Sequence, residues 1–159
     1  MTDALFSPLL DEQRFLIKLE KHQTKSTVDQ HVNGSLTVVW RDWDSIIECH
    51  PKMVYVSSVS AGETKGPHLH TKRNSYFVCI HGKVAFVIKD EDGQYHEITS
   101  SEDEPVMVFV PKGIPSAHIN LSKSTSRVLA LADLAWRPND GEMENVVFAD
   151  YDWKKWLNV

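Results

Sequence analysis

Short runs of alternating apolar and polar residues follow one another along this chain, separated by turns rich in glycine, proline and acidic residues. In the run Met53–Val59, Val54 and Val56 lie on one face of the expected strand. Tyr55 lies on the other face. A period of two over about four to eight residues is typical of a half-buried β-strand. The pattern predicts strands at residues 15–19, 35–40, 43–49, 53–59, 68–70, 75–80, 83–89, 94–98, 106–110, 117–121 and 127–131.

Two stretches lack this alternation. Residues 20–34 are polar and end in Asn33-Gly34, a dipeptide that predicts a tight turn. The tail 141–159 is polar and aromatic, and we expect one helical turn within it, at 150–156. We therefore predict a single all-β domain over residues 1–159, with its core at about 35–140. The expected fold is a jelly-roll barrel with a ligand cavity in its mouth.

Composition and charge exclude several classes of partner. The chain has 159 residues, of which 42% are hydrophobic, and its net charge is −5. This charge argues against nucleic acid or an anionic membrane as partner, although a local basic pocket can still hold a small anion. No window approaches the roughly 20 apolar residues that span a bilayer, and the amino terminus lacks signal-peptide features. Cys49 and Cys79 form no paired motif, which indicates reduced thiols and a cytoplasmic protein.

The most informative stretch is Gly62–Gly82, which contains His68 and His70. In a strand, residues two apart project to the same face, so both imidazoles would point the same way. Two imidazoles on one face are compatible with metal binding, with proton transfer, or with a polar lining that has no chemical role. The residues alone leave these three alternatives open.

Two segments together resemble the two conserved motifs of the cupin family. The matches to the first motif are Gly62, His68, His70 and Gly82. The matches to the second motif are Pro111, Gly113 and Asn120, with Glu104 where a leading glycine is expected. The glutamate and the third histidine of metal-binding cupins are replaced here by Ser75 and Ser116. The resemblance covers roughly residues 35–140 and implies the cupin fold.

These replacements bear on metal binding. A serine hydroxyl is a poor ligand, and two imidazoles alone leave a divalent ion under-coordinated. His118 shares the strand face of Ser116 but lies about 7 Å further along. We therefore expect no metal and no cofactor, and we rank metal-dependent chemistry below metal-free chemistry.

Within the cupins, the chain most resembles the sugar-nucleotide branch, which includes dTDP-4-keto-6-deoxyglucose 3,5-epimerases and 3,4-ketoisomerases. The resemblance is carried by Asn33–Arg41, by Lys65-Gly-Pro-His68 and by His68-Leu-His70-Thr-Lys72. It implies a metal-free isomerase or epimerase that acts on a nucleoside-diphosphate-linked 4-keto-6-deoxy sugar and forms homodimers by exchanging strands. It also implies that His68 is the principal base and His70 its partner.

The resemblance implies further roles around the histidines. The acid tyrosine of the epimerases is replaced by Ala130, and Tyr55 is the expected substitute. The expected cations for the diphosphate are Lys65, Lys72 and Arg73. The nucleotide base would stack on Trp136, Trp40 or Tyr76. The other expected substrate-binding residues are Ser75, Ser116, His118 and Asn120, although the two serines are also compatible with a degenerate site.

Two alternatives to the isomerase stay open at this point. One is a cupin that binds a sugar or a nucleotide without turning it over. The other is a metal-dependent cupin whose ligands are His68, His70 and His118.

Overall fold

Residues 14–44 and 50–157 are described by the computed structural model of the chain. They contain β1 Leu16–Lys18, β2 Glu20–Lys25, β3 Val32–Val38, β4 Met53–Val59, β5 Thr64–His70, β6 Ser75–His81, β7 Lys83–Lys89, β8 Tyr95–Ser101, β9 Val106–Val110, β10 Ser116–Asn120, β11 Ser126–Ala132 and β12 Met143–Asn145. A 3-10 helix at Trp153–Trp156 confirms the helical turn expected in the tail. The predicted strand at 43–49 lies mostly outside the described residues. No helix in the described ranges is long and apolar enough to cross a membrane.

Two five-stranded antiparallel sheets enclose the core. The first sheet has the strand order β1-β9-β6-β11-β4, and the second has the order β12-β5-β10-β7-β8. Inward-facing apolar side chains of both sheets meet in one buried cluster, which includes Phe77, Phe86, Val108 and Val128. Burial stabilises the fold by about 1.5–3 kcal/mol for each large apolar side chain. The prediction of an all-β jelly-roll barrel is confirmed.

The polar stretch at residues 20–34 forms most of a β-hairpin. Among the described strands, β2 and β3 pair only with each other. Asn33 and Gly34 lie inside β3, so the turn predicted at these two residues is wrong. The chain instead turns at 26–31, where the Gln30 N–H donates to the Ser26 carbonyl and Gln30 has φ of 61°. Alternation was absent because the side chains of β2 are nearly all exposed.

The polar-aromatic tail contributes to the second sheet and covers its outer face. Strand β12 pairs with β5 at the edge of that sheet. The chain then packs Phe148 against Val87 and Ala117, and the rings of Tyr151 and Trp153 extend this cluster. The tail is therefore fixed to the barrel, and it brings a short strand beside the histidines.

Strand β5 passes very close to β10 at Gly66. A Cβ added there would lie 2.9 Å from the Ser116 carbonyl oxygen and 3.1 Å from the His68 backbone nitrogen. Gly66 also has φ of +88°, which side chains other than glycine rarely allow. Glycine at this position therefore lets the strands that carry His68 and Ser116 come together.

We predict that Gly66→Ala lowers the free energy of unfolding by about 2–4 kcal/mol, because a positive-φ penalty adds to a collision with backbone atoms. The matched control is Gly62→Ala, since Gly62 has φ of +72° but open space around an added Cβ. Urea denaturation of both variants measures the difference. Equal losses would mean that the approach of β5 to β10 imposes no constraint.

Candidate active site

A cavity of about 350 Å³ lies between the two sheets, with walls from β4, β5, β6, β9, β10 and β12. Most of the predicted site residues line it, namely Tyr55, Lys65, His68, His70, Arg73, Ser75, Ser116, His118 and Trp136. Much of the remaining wall is apolar and includes Met53, Phe77, Val110 and Met143. The sequence pattern does not distinguish these residues, because an inward-facing apolar residue shows the same alternation whether it packs against another side chain or lines a cavity.

His68 and His70 share strand β5, and both line the cavity. Nδ1 of His68 is 2.9 Å from Oδ1 of Asn145, and Nδ1 of His70 is 2.8 Å from Oε2 of Glu142. Amide carbonyl and carboxylate oxygens accept hydrogen bonds, so Nδ1 is the donor in both rings. In the neutral ring this leaves Nε2 with a lone pair that can take a proton.

The Glu142 carboxylate holds a negative charge beside His70. Its Oε1 accepts the backbone N–H groups of Lys72 at 3.3 Å and Arg73 at 3.0 Å. Burial raises the pKa of Glu142, but the hydrogen bond and charge of His70 and these two N–H groups outweigh burial, and the pKa is lowered overall. Glu142 is therefore ionised at neutral pH and stabilises positive charge on the adjacent imidazole.

Glu142 and Asn145 were missed by sequence analysis. They belong to the polar tail and lie 72 and 77 positions from their histidine partners. No motif spacing signals these contacts. They arise because β12 pairs with β5 in a register that sets Asn145 opposite His68 and Met143 opposite His70.

His118 is buried against the cavity beside two phenylalanine rings. Its ring centroid lies 5.2 Å from that of Phe86 and 6.3 Å from that of Phe77. Burial, helped by the positive charges of Lys65 and His68, lowers the pKa of His118 to about 4. No described residue makes a hydrogen bond with its Nε2. His118 is thus a neutral ring with a polar atom available to a ligand.

The three histidines do not converge in the way that metal ligands do. His68 lies opposite Ser116 across the sheet, whereas His118 lies opposite Lys65, beyond an irregularity in the register. Within residues 14–44 and 50–157, no group of three or more His, Cys, Asp and Glu side chains is arranged to hold a metal ion. The metal-dependent alternative built on His68, His70 and His118 has no geometric support.

A second polar cluster lines the cavity. Arg73 and Ser75 are buried, at 5% and 1% exposure. Nε of Arg73 and Oγ of Ser75 have no hydrogen-bond partner among the described residues. Tyr55 lies beside Arg73. Burial raises the pKa of the Tyr55 phenol overall, although the charge and the hydrogen bond of Arg73 oppose that rise. The cavity therefore contains donors without acceptors in addition to two imidazole bases.

Two further predicted residues border the cavity through different contacts. Nζ of Lys65 donates to Oγ of Ser57 at 2.9 Å. Trp136 is 64% exposed and also borders a smaller adjoining cleft that includes Arg137 and Gly141. A cation and an exposed ring therefore flank the interior where the histidines lie.

Lys72 and Asn120 do not line the cavity. Lys72 is exposed in the turn after β5. Asn120 is buried, and its amide donates to the carbonyls of Val59 and Ser124 and accepts the Ser122 N–H. These contacts give Asn120 a structural role in the loop that follows β10.

Solved structures share this fold. CapF of Staphylococcus aureus, a capsular polysaccharide assembling protein, is 22% identical over 61% of this chain, with a TM-score of 0.58. The match spans only 29% of CapF. A dTDP-4-dehydrorhamnose 3,5-epimerase of Elizabethkingia anophelis is 20% identical over 87% of this chain and 80% of its own, with a TM-score of 0.68. A dTDP sugar isomerase of Desulfovibrio desulfuricans is 19% identical over 89% of this chain and 90% of its own, with a TM-score of 0.70.

At the level of sequence, a search of curated proteins found no significant match. The family model described as "FdtA: WxcM-like, C-terminal" matches residues 15–153, which is most of the chain. Together with the shared fold, this match confirms the resemblance to the sugar-nucleotide branch of the cupins that the two motifs indicated. The chain belongs to the FdtA family of WxcM-like, C-terminal domains.

Proposed function

We propose that this protein is a metal-free isomerase of a nucleoside-diphosphate-linked 4-keto-6-deoxy sugar, with the two histidines of β5 as its proton carriers. The observation that carries the proposal is that both imidazoles line one cavity and are both held through Nδ1 by residues of the tail. Two of the similar structures are enzymes that act on dTDP sugars, which supports a substrate of this class.

The chemistry follows from the acidity of carbon-bound hydrogens next to a carbonyl. A neutral imidazole with a free Nε2 removes such a proton. Returning a proton to the former carbonyl carbon moves the carbonyl, whereas returning it to the opposite face of the same carbon inverts that centre. The Glu142 carboxylate stabilises the imidazolium formed at His70, so this ring is well suited to hold a proton between the two steps. Neighbouring imidazoles suit a 3,4-ketoisomerisation, in which protons move between adjacent positions of the sugar.

Tyr55 is our proposed substitute for the missing epimerase acid. Its Cα partner on β11 is Ala130, the residue that stands in the acid position. Paired residues of adjacent strands project to the same side, so the phenol enters the region that a tyrosine at 130 would occupy. The absence of that acid at Ala130 favours a ketoisomerase over a 3,5-epimerase.

The other proposed substrate-binding residues differ in their exposure to solvent. Lys65 and Lys72 are exposed cations that suit the diphosphate, and Trp136 offers an exposed ring for the nucleotide base. Ser116 lies opposite His68, where its hydroxyl suits a sugar hydroxyl. His118 contributes a neutral nitrogen to the same cavity.

Solvent exchange tests this function. With dTDP-4-keto-6-deoxyglucose in deuterated water, the protein should introduce deuterium at C3 of the 4-keto sugar and at C4 of the 3-keto product, detected by NMR. His68→Asn and His70→Asn should each slow exchange by roughly 10²–10⁴-fold, because each removes a proton carrier. Glu142→Gln should slow it by about 10–100-fold, because the imidazolium loses its counter-charge.

The control for these variants is His81→Asn, since His81 is an exposed histidine at the end of β6 and is absent from the cavity wall. Its exchange rate should match that of the wild type. An absence of exchange with every keto-sugar nucleotide would contradict the proposal. Retained dTDP binding in that case would favour the cupin that binds without turnover.

His118 should make stability depend on pH. Its pKa is about 4 in the folded protein, against an ordinary histidine value of 6.5, so the unfolded chain takes up a proton first as the pH falls. The stabilisation is complete above pH 6.5 and is lost as the pH falls towards 4, by about 2 kcal/mol between about pH 7 and 5. Urea denaturation at both pH values should show that His118→Gln loses about 2 kcal/mol less than the wild type. Equal losses would contradict this assignment.

We also propose that the protein is a homodimer formed through the outer face of the first sheet. Val54 and Val56 of edge strand β4 are 58% and 51% exposed there, and Ile80 is 44% exposed on β6. Contiguous exposed apolar residues on a sheet usually mark an interaction surface. The hairpin of β2 and β3, which pairs with no other described strand, is a further element that a second copy can hold, because two strands alone are only marginally stable.

Sedimentation equilibrium should give twice the chain mass of 18.1 kDa. Val56→Glu should shift the protein towards the single-chain mass, because it puts a charge into the apolar contact. Val147→Glu is the control, since Val147 is 82% exposed on the tail. A monomeric wild-type protein would exclude the dimer.

A further inference from the structure

Arg73 brings a positive charge to the cavity wall, and its guanidinium forms no ion pair with a carboxylate of residues 14–44 and 50–157. The residue is 5% exposed, and its Nε has no hydrogen-bond partner in the described part of the chain. Glu142 accepts the Arg73 backbone N–H, but its other carboxylate oxygen bonds to Nδ1 of His70 rather than to the Arg73 guanidinium. A buried charge without a counter-charge is unfavourable, and proteins retain one mainly where a ligand supplies the opposite charge.

The neighbours of Arg73 are donors as well. The Tyr55 hydroxyl lies against the guanidinium, and the Ser75 hydroxyl is buried in the same wall without a partner. Arg73 and His70 border both the main cavity and the cleft that adjoins it. A base therefore faces the same space as two donors without a partner among the described residues, Nε of Arg73 and the Ser75 hydroxyl, and the Tyr55 hydroxyl lies beside them. Fixed donors in a site of low polarity stabilise a developing negative charge much more strongly than water does.

We propose that Arg73, with Tyr55 and Ser75, forms an oxyanion hole for the enediolate oxygen of the keto sugar, which makes Arg73 a catalytic residue. The inference rests on the proposed function. When an imidazole takes the proton from the carbon next to the carbonyl, the C–H electron pair becomes a C=C bond. The carbonyl π pair then moves to oxygen, which becomes negative and accepts hydrogen bonds from Arg73. The proton remains on the imidazole and returns to the same carbon as the C=O bond forms again. In a ketoisomerisation it goes instead to the former carbonyl carbon, while the neighbouring hydroxyl gives its proton to the enediolate oxygen and becomes the new C=O, so no other reactant is needed.

An oxygen anion could also come from the diphosphate, the ligand expected for Arg73 from the sequence. Burial favours the enediolate. Lys65 and Lys72 are exposed and reach a group that remains partly in water, whereas the Arg73 side chain is enclosed beside the base. The two sources are distinguished by separating turnover from nucleotide affinity.

The first experiment compares Arg73→Met with the wild type and with Lys123→Met, a control that removes a cation from an exposed loop. Arg73→Met should lower kcat by about 10²–10³-fold. The Kd for dTDP alone, from calorimetry, should stay within about twofold, since the variant removes no contact with the nucleotide. Arg73→Lys should recover part of the lost kcat, because it keeps the charge but not the planar fork. Lys123→Met should match the wild type in both measurements.

The second experiment needs no turnover and uses formate as a small oxyanion. At constant ionic strength, replacing chloride with formate should raise the melting temperature of the wild type and of Lys123→Met. It should have a smaller effect on Arg73→Met, which lacks the anion site.

The outcomes separate the inference from the function on which it rests. A loss of dTDP affinity of tenfold or more with kcat retained would overturn the oxyanion role and assign Arg73 to the diphosphate. Unchanged kcat together with unchanged affinity would overturn both assignments. If the wild type turned over no keto-sugar nucleotide, the proposed function would fail. The enediolate role would fail with it, while the formate comparison would still decide whether Arg73 binds an anion.

Discussion

The pairing of β12 with β5 is the interaction on which the site depends. It supplies an acceptor to Nδ1 of each histidine, which fixes the orientation of the ring and the nitrogen that carries the proton. The two acceptors differ in charge. Glu142 is a carboxylate and sets a negative charge beside His70, whereas Asn145 is neutral and orients His68. Two residues that look equivalent in the sequence therefore have different electrostatic environments, and this difference is built by the tail.

The cavity combines apolar walls with polar groups that have no partner within the described residues. His118, Arg73 and Ser75 each leave a buried polar atom unsatisfied there. Folding gains nothing from such atoms, because buried donors and acceptors are normally paired. Their cost is understood if a ligand completes them, since hydrogen bonds and charges act strongly in a site from which water is displaced.

The sequence was most informative where side-chain alternation and motif spacing coincide. It predicted the barrel, the shared face of His68 and His70, and the placement of Tyr55 on the strand face opposite Val54 and Val56, because each of these follows from the period of a strand. It did not reveal the site residues whose position depends on the pairing of strands far apart in the sequence. Glu142 lies in a polar tail like any solvated residue, and only the register of β12 with β5 brings it to His70.

Arg73 illustrates a different limit. Next to Lys72 in a short turn it reads as an ordinary solvated cation, yet it is buried while its neighbour is exposed. Charge and spacing carry no information on which of two adjacent cations folds inward. That depends on the path of the backbone between β5 and β6, where the Glu142 carboxylate holds the two backbone N–H groups.

The sequence distance between His70 and its carboxylate partner has a consequence for how the protein matures. The ring and the carboxylate are 72 positions apart, and contacts between such distant parts of a chain are costly to close and tend to form late. A barrel that has collapsed around its core, but whose tail is still loose or has been clipped by a protease, would hold both imidazoles without their orienting partners. Under the proposed mechanism such a species would be compact but inactive, and activity would require the tail to dock.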